Sequence, residues 1–530
     1  MPFRRRNREG VVVELLDESD VARALDIVDT LGPGLDADLV GLYRWVADHY
    51  LSTLGEALAA ALPDRIADEE EAEHPGPVAL PRARSLAFLR RYRGGGPLER
   101  ALSARRYAGF SWRPRAGRAA EIAALVADAA ADRRGVLVLV PEVRFAGETA
   151  DALRALGDAV AWLGSDRPAR ERYRDWLALR GGHKTIAVGG RAAVYAPVRD
   201  LGLVLVDDEA HVSYKERRAP RINARAVAAE RARRANAVLV AAGTPPSIEA
   251  GAAVERHALT SVAPPRAESL RTRPPVTVVD RSRDGAALVP HATTLRLAAE
   301  ELGRGRRVVL LIHRGGDEAR RAASRAFRIL GPSRPARLDA RTPPEVLADA
   351  VRDADCIVAT PVISKDLEIE HVGLVAVLEA DAALAVPEFR AAEEAFSTWW
   401  RTAPWAARGR IAIETSQPEH PAIRALVRWD PDALYRWEAD RRKETGYPPF
   451  AGLVRIDVPP ARAADVAKEV ADAVPGATIL GPLERGGKAV VVVRSVNRAA
   501  LLHGMRPMVE RWRTAGDPIR VDVDPREVLP

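Results

Sequence analysis

Three carboxylates in a row, Asp207, Asp208 and Glu209, close the apolar run Leu203-Val-Leu-Val and are the residues whose type and placement best suit chemistry. Carboxylates at the C-terminal end of a buried parallel strand face the crevice where such sheets bind ligands, and there they can hold Mg²⁺ and orient a water. Strand register makes Asp207 the metal-side carboxylate, although Asp208-Glu-Ala-His211 spells a helicase box one residue later. Acidic residues after a strand also occur as plain helix N-terminal charges. A nucleotide site further needs a glycine-rich loop opening a helix, with a lysine for the phosphates and a hydroxyl for Mg²⁺. Gly181-Gly-His-Lys184-Thr185 has the lysine but precedes a strand. Gly117 and Arg118, in Ser111-Trp-Arg-Pro-Arg-Ala-Gly117-Arg118-Ala119, have the right context but lack both lysine and hydroxyl. Losing the charge-assisted phosphate contact, at roughly 1.5–3 kcal/mol, together with a Mg²⁺ ligand should weaken ATP binding about 10-fold or more. A planar guanidinium does not reproduce an ammonium point charge.

Other enzyme classes find no support. The ten histidines make no HExxH pair, no GxSxG elbow occurs, and no GxGxxG opens a helix. Cys356 is the single cysteine, which excludes an intramolecular disulfide and every zinc site built on CxxC pairs, and its place in an apolar strand makes it a structural thiol. Eighty basic against 73 acidic residues give a net charge of +7, which permits a polyanionic partner without requiring one. Only six of the cations are lysines, and the arginine excess follows from a GC-rich genome. Candidate phosphate contacts are Arg4-Arg5-Arg6, Arg91-Tyr-Arg93, Arg105-Arg106-Tyr107 and the pair Arg485 and Lys488, and the alternative for each is a scattered solvated arginine. No apolar stretch is long enough to cross a membrane and the start is not a secretory signal, so the expected location is the cytoplasm.

These residues need elements to position them, and 530 residues exceed what one core organises. Residues 11–16 read as a strand and Asp38–Leu62 as an amphipathic helical stretch stopped by Pro63. The acidic run Asp68-Glu-Glu-Glu-Ala-Glu73 and Gly94-Gly-Gly-Pro97 read as a solvated linker. Buried-type strands follow at Gly135, Thr185, Leu203 and Ala237, with helical segments between them, which is the pattern of a parallel doubly wound sheet. A proline-rich break near 263–275 precedes a second series, with strands at Val276, Arg307, Cys356, Leu374 and Ile411. The last hundred residues, with strands Leu453–Val458, Ala489–Val493 and Arg520–Val523, form a small α+β domain. The expected divisions are 1–63, 64–105 (linker or reduced winged-helix region), 106–265, 266–430 and 431–530.

Short blocks along nearly the whole chain resemble, in order and spacing, the PriA (primosomal protein N′) family of superfamily 2 helicases. They include Leu139-Val-Pro-Glu142, Gly189 to Pro197, Asp207 to Lys215, Pro220-Arg-Ile-Asn-Ala-Arg225, His313-Arg-Gly-Gly316, Lys365, Pro387 to Glu393 and Tyr447-Pro-Pro-Phe450. The resemblance implies an α/β fold of two tandem RecA-like helicase lobes flanked by small α+β N-terminal and C-terminal DNA-binding domains. It implies recognition of branched or single-stranded DNA such as stalled forks and D-loops, and recruitment of other primosome proteins to reload the replicative helicase, by a monomer associated with the nucleoid. The DNA-binding candidates are Arg4, Arg5, Arg6, Lys365, Arg485 and Lys488.

Every ATP-contacting motif departs from the family. The phosphate loop becomes Gly117-Arg118-Ala119, the catalytic glutamate falls on Asp208, and the aligned arginine-finger positions within Ala403–Arg410 are largely alanine. Joint loss of these charges removes stabilisation for phosphoryl transfer from three directions, so ATP and Mg²⁺ are doubtful cofactors and unwinding is expected to be lost. The family's eight zinc-binding cysteines are absent, since Gly316 connects to Arg337 by a short helical segment, and no zinc is expected. The first strands of the family's N-terminal domain would precede Pro2, so the expectation is either a start codon placed too late or an incomplete 3′-end pocket. An atypical active 3′-5′ helicase and a protein-interaction scaffold are the alternative readings.

Overall fold

The computed structural model describes residues 2–3, 6–7, 10–15, 17–18, 27, 35–70, 76, 86–115, 117–131, 133–141, 147–271, 273–283, 289–364 and 369–529. Strands β1 (Pro2–Phe3) and β2 (Arg6–Asn7) pair antiparallel at the start. Residues 10–15 are in no regular structure, contrary to the strand expected there, and Val12 and Leu15 are 57% and 90% exposed. A valine run gains strand geometry only against a sheet edge, and none pairs with it. The expected single helix is two, Ala37–His49 and Leu54–Ala61. Leu51 adopts a left-handed φ of 51° at the break, and Thr53 and Glu56 form a reciprocal capping box that starts the second helix.

The first lobe holds β3 (Ala108–Trp112), β4 (Gly135–Leu139), β5 (Val160–Trp162), β6 (Ile186–Gly189), β7 (Leu201–Val206), β8 (Val238–Ala242) and β9 (Thr260–Val262). All pair in parallel in the order β5-β6-β4-β7-β8-β3-β9. Both faces of β4, β7 and β8 are covered, which explains their continuous apolar sequences. The second lobe repeats the design with β10 (Val276–Asp280), β11 (Arg307–Leu311), β12 (Pro335–Leu338), β13 (Cys356–Ala359), β14 (Val372–Val377) and β15 (Arg410–Thr415), in the order β10-β15-β14-β11-β13-β12. The helix Asp317–Leu330 makes the whole connection from β11 to β12. The C-terminal domain is an antiparallel sheet of β16 (Gly452–Val458), β17 (Thr478–Arg485), β18 (Lys488–Ser495) and β19 (Arg520–Val523), ordered β17-β18-β16-β19 and backed by the helices Pro460–Ala473 and Arg498–Ala515.

Two segments read as solvated are built into the molecule. Glu69, inside the acidic run, is buried and accepts from Arg170 and, at 2.7 Å, from Arg174 on the helix Ala169–Gly181. Leu86, Leu89, Leu98 and Leu102 bury against Trp112 and Ile122 of the first lobe, so the described stretch 86–104 belongs to that lobe's core. A second core is shared by three regions: Leu42, Tyr43 and Val46 of the N-terminal helices, Tyr195 and Tyr214 of the first lobe, and Met505 and Val509 of the C-terminal domain. Among the described residues no helix is long and apolar enough to cross a membrane.

Cys356 begins β13 with no exposed surface, and burial pushes its thiol up to about 12, with a smaller push from Asp355. Thiolate formation is needed for attack. The native protein is therefore expected to leave Ellman's reagent unreacted over an hour at pH 8, with one thiol released after denaturation.

Candidate nucleotide cleft and its ion pairs

The loop after β7 is held by backbone and core contacts before its charges are considered. The amide of Asp207 donates to the Leu139 carbonyl at 2.8 Å. The buried Tyr214 hydroxyl donates to the Asp207 carbonyl at 2.5 Å, with that of Leu139 3.1 Å away. Asp208 takes a left-handed φ of 46°, which turns consecutive carboxylates in different directions.

Each of the three acids meets a guanidinium of the same chain. Asp207 receives both sides of the Arg118 fork, at 3.0 and 3.4 Å. Asp208 pairs at 2.9 Å with Arg401 from the helix Ala391–Thr402 of the second lobe. Burial opposes ionisation of Asp208, but the charge of Arg401, with His211 and Arg118, outweighs it and holds the carboxyl below its ordinary range. Glu209 pairs with Arg225 at 2.6 Å and accepts from the Ser247 amide at 2.7 Å and from its hydroxyl at 2.9 Å. Ser247 is itself the N-cap of the helix Ile248–Glu255, so Glu209 is engaged in fastening a helix.

The segment around Gly117, expected from the sequence to be a degenerate phosphate loop, is tied down in the same way. Arg113 grips Asp432 on the helix Pro431–Thr445 at 2.5 and 3.1 Å, and Arg115 pairs with Glu268 at 2.6 Å. Gly117, at a φ of 73°, has open space where a side chain would stand. Lys184 of the other glycine-lysine run binds Asp175 at 2.7 Å and the Val160 carbonyl at 2.9 Å, a structural role.

From Glu209 the charges continue across the cleft in alternation. Arg225 also reaches Glu249 at 3.5 Å, and Glu249 binds Arg390 of the second lobe at 2.5 Å. Arg390 holds Glu393 at 3.0 Å, and Glu393 accepts from the Ile248 amide at 3.0 Å and from Arg442 at 2.8 Å. Arg442 completes the series with Glu438 at 2.9 Å and donates to the Pro448 carbonyl at 3.2 Å. Glu249 is held well below the usual carboxylate range because Arg390 and Arg225 together overcome its burial.

The sequence singled out the acids and Arg118, without their pairing, and missed Arg401 and Arg225 as the partners of the other two. Arg225 and Glu393 lay within the matching blocks with no role attached, and Arg401 stands just before the alanines that occupy the finger positions. An arginine pattern in a chain this rich in arginine carries no signal of which acid it will meet. Of the DNA-binding candidates, Arg4, Arg5 and Lys365 lie outside the described residues, and Arg6 lies in β2. Arg485 and Lys488 are exposed and face each other across the β17–β18 hairpin, whose turn is made by Gly486 and Gly487 in left-handed conformations. Among the described residues no group of three or more His, Cys, Asp or Glu is placed to hold a metal ion.

Comparison with known proteins gives matches at both ends. Residues 1–63 match the model of the PriA 3′DNA-binding domain and residues 443–526 that of the primosomal protein N C-terminal domain. The replication restart protein PriA of Treponema pallidum is 25% identical over 92% of this chain and 87% of its own length. The probable replication restart protein PriA of Mycobacterium tuberculosis is 29% identical over 86% of this chain and 81% of its own. For the Bacillus subtilis protein the identity is 25% over 61% of this chain, and the match spans about half of that protein, 49%. Among solved structures, RecG bound to a three-way DNA junction superposes with a TM-score of 0.46 at 12% identity, covering 76% of this chain and 53% of that one.

Arg401→Ala leaves the Asp208 carboxylate buried and unpaired, and a loss of about 3 kcal/mol is expected from the shift of the urea midpoint. The sign with pH follows from the lowered carboxyl: the pair stabilises the fold above the ordinary aspartate value of 3.8 and loses that contribution as pH falls through the lowered value. The wild-type advantage over Arg401→Ala should therefore shrink on acidification below about pH 4.

Proposed function

With the chain placed in the PriA family of replication restart proteins by its two terminal domains, we propose that it binds branched DNA, such as stalled forks or D-loops, and assists reloading of the replicative helicase without ATP-driven unwinding. One observation carries the loss of ATP use: each acid of the cleft loop is already neutralised by an arginine of the same chain. Mg²⁺ would have to displace Arg118 from Asp207, and no hydroxyl follows Arg118 to complete its coordination. The incoming phosphates would find Arg113 and Arg115 committed to Asp432 and Glu268. ATP and Mg²⁺ therefore do not fit the residues present.

DNA binding rests on different parts. The N-terminal region matches a DNA-binding domain model, and the β17–β18 hairpin presents Arg485 and Lys488 to solvent. Such contacts act on phosphate and position the protein without reading sequence. Other primosome proteins and the replicative helicase would be recruited to the DNA-bound chain through its surface, since the zinc module that the family carries has no cysteines here.

Two measurements on the full chain test this reading. Phosphate release with forked DNA and ATP should not exceed that of an Asp207→Ala variant, and a DNA-dependent excess would restore the helicase reading. Forked DNA should bind in preference to unstructured competitor, with log Kd steeply dependent on log salt, at about 0.9 per phosphate contacted. Equal binding of both competitors would leave only a protein scaffold.

A further inference from the structure

The cleft arginines are neutralised, but four at the opposite end of the first lobe, Arg105, Arg106, Arg133 and Arg199, have no ion pair to a described residue. In a parallel sheet all strands are entered from one rim, and that rim lies away from the C-terminal ends that carry Asp207 and Gly117. Four neighbouring strands, in the spatial order β4-β7-β8-β3, are each entered just past an arginine, from a turn for β4, β7 and β3 and from the end of the helix Ala224–Arg234 for β8. Arg133 precedes β4, Arg199 precedes β7, Arg233 precedes β8, and Arg105 and Arg106 precede β3. Register fixes them side by side, since Gly135 pairs with Leu201, Leu203 with Val238 and Val238 with Ala108. At the ordinary spacing between strands the row is roughly 15 Å long.

The turns are held rigidly. Arg105, Arg133, Asp200 and Asn236 all take left-handed backbone conformations. Asn236 clamps the last turn to its neighbour, accepting from the Tyr107 amide at 2.8 Å and donating to the Arg105 carbonyl at 3.3 Å. Arg105, Arg106, Arg133, Arg199 and Arg233 are exposed, and only Arg233 has a carboxylate, Glu230 at 2.7 Å. The side chains of the other four make no ion pair or hydrogen bond to any described residue. Like charges gathered on a stiff rim repel each other and gain by meeting a polyanion.

We infer that this rim is a phosphate-contacting track for a duplex arm of the DNA, which rests on the proposed binding of branched DNA and gives it a second contact surface. Duplex fits better than single strand because Tyr107, at 37% exposure, is the only aromatic among the rim turns described above, whereas single-strand grooves interleave aromatics with their cations. The track is continuous with the N-terminal domain: the Arg234 guanidinium lies 3.1 Å from where a Cβ on Gly41 would stand, in the helix Ala37–His49. An arm leaving that domain would meet the rim next.

The test is fluorescence anisotropy on the full chain with Arg105, Arg106, Arg133 and Arg199 all changed to alanine, and separately all to lysine, against forks with duplex arms, forks with single-stranded arms, and glutamate oligomers as competitors. The alanine variant should melt like wild type, lose 10-fold or more in affinity for duplex-armed forks near physiological salt, and show a salt slope shallower by about 2–4. The lysine variant should retain binding, since charge alone is needed. Unchanged affinity and slope in the alanine variant, with wild type still binding forks, overturn the track and leave the DNA-binding reading intact. Wild type failing to bind any fork removes that reading itself. A loss confined to single-stranded arms overturns the duplex assignment, and displacement by glutamate oligomers as effective as by duplex overturns DNA as the occupant.

Discussion

The structure depends on one constraint: carboxylates buried at the junction of two lobes must each be neutralised. In a working motor a metal ion and a nucleotide supply part of that neutralisation and can leave again. Here guanidinium groups of the same chain supply it, with Arg118 on Asp207, Arg401 on Asp208 and Arg225 on Glu209. Two of these connections lead to the second lobe, directly through Arg401 and through Glu249 to Arg390. The two lobes are thus joined by charges that cannot be left alone in a low-dielectric interior.

Such a network holds geometry more than it adds net stability. Desolvation of buried ions offsets much of their attraction, so the whole series is worth little compared with an apolar interface of the same shape. Breaking one member is another matter, because the partner left behind stays buried and charged. The alternation from Glu209 through Arg225, Glu249, Arg390, Glu393 and Arg442 to Glu438 therefore makes one lobe arrangement much better than its neighbours. It ends at the helix Pro431–Thr445, which also receives Arg113, so the C-terminal domain is anchored to the same cleft.

A second anchorage runs behind the acid loop. Lys215 binds Asp522 at 2.7 Å and the Val523 carbonyl at 2.8 Å, and its charge lies 5.7 Å from the Tyr50 ring centroid. Arg498 joins Asp524 at 2.8 Å to His49 at 2.8 Å, and burial together with the Arg498 charge lowers the His49 imidazole to about 4. Terminal regions that read as separate modules share one apolar core with the first lobe. The arrangement suits a rigid platform whose binding surfaces keep fixed positions.

Much of the fold was legible because its signals are local. Short continuous apolar runs rich in β-branched residues at Gly135, Leu203, Val238 and Cys356 are the signal of strands buried on both faces, and their alternation with helical segments is the pattern of parallel sheets. Strands β3, β5, β9, β12 and β17 escaped: β9, β12 and β17 are partly exposed and of mixed composition, β5 is only three residues long, and β3 breaks its apolar run with Gly109 and Ser111. Composition determined that no cysteine-based zinc site or disulfide exists, and the lost lysine and hydroxyl already spoke against a normal phosphate loop. Only the tertiary structure decided which of many arginines meets which acid and which remain open on the rim. Electrostatic pairing acts between residues up to 458 positions apart, as between Asp48 and Arg506, and its outcome depends on burial and distance, neither of which residue type encodes.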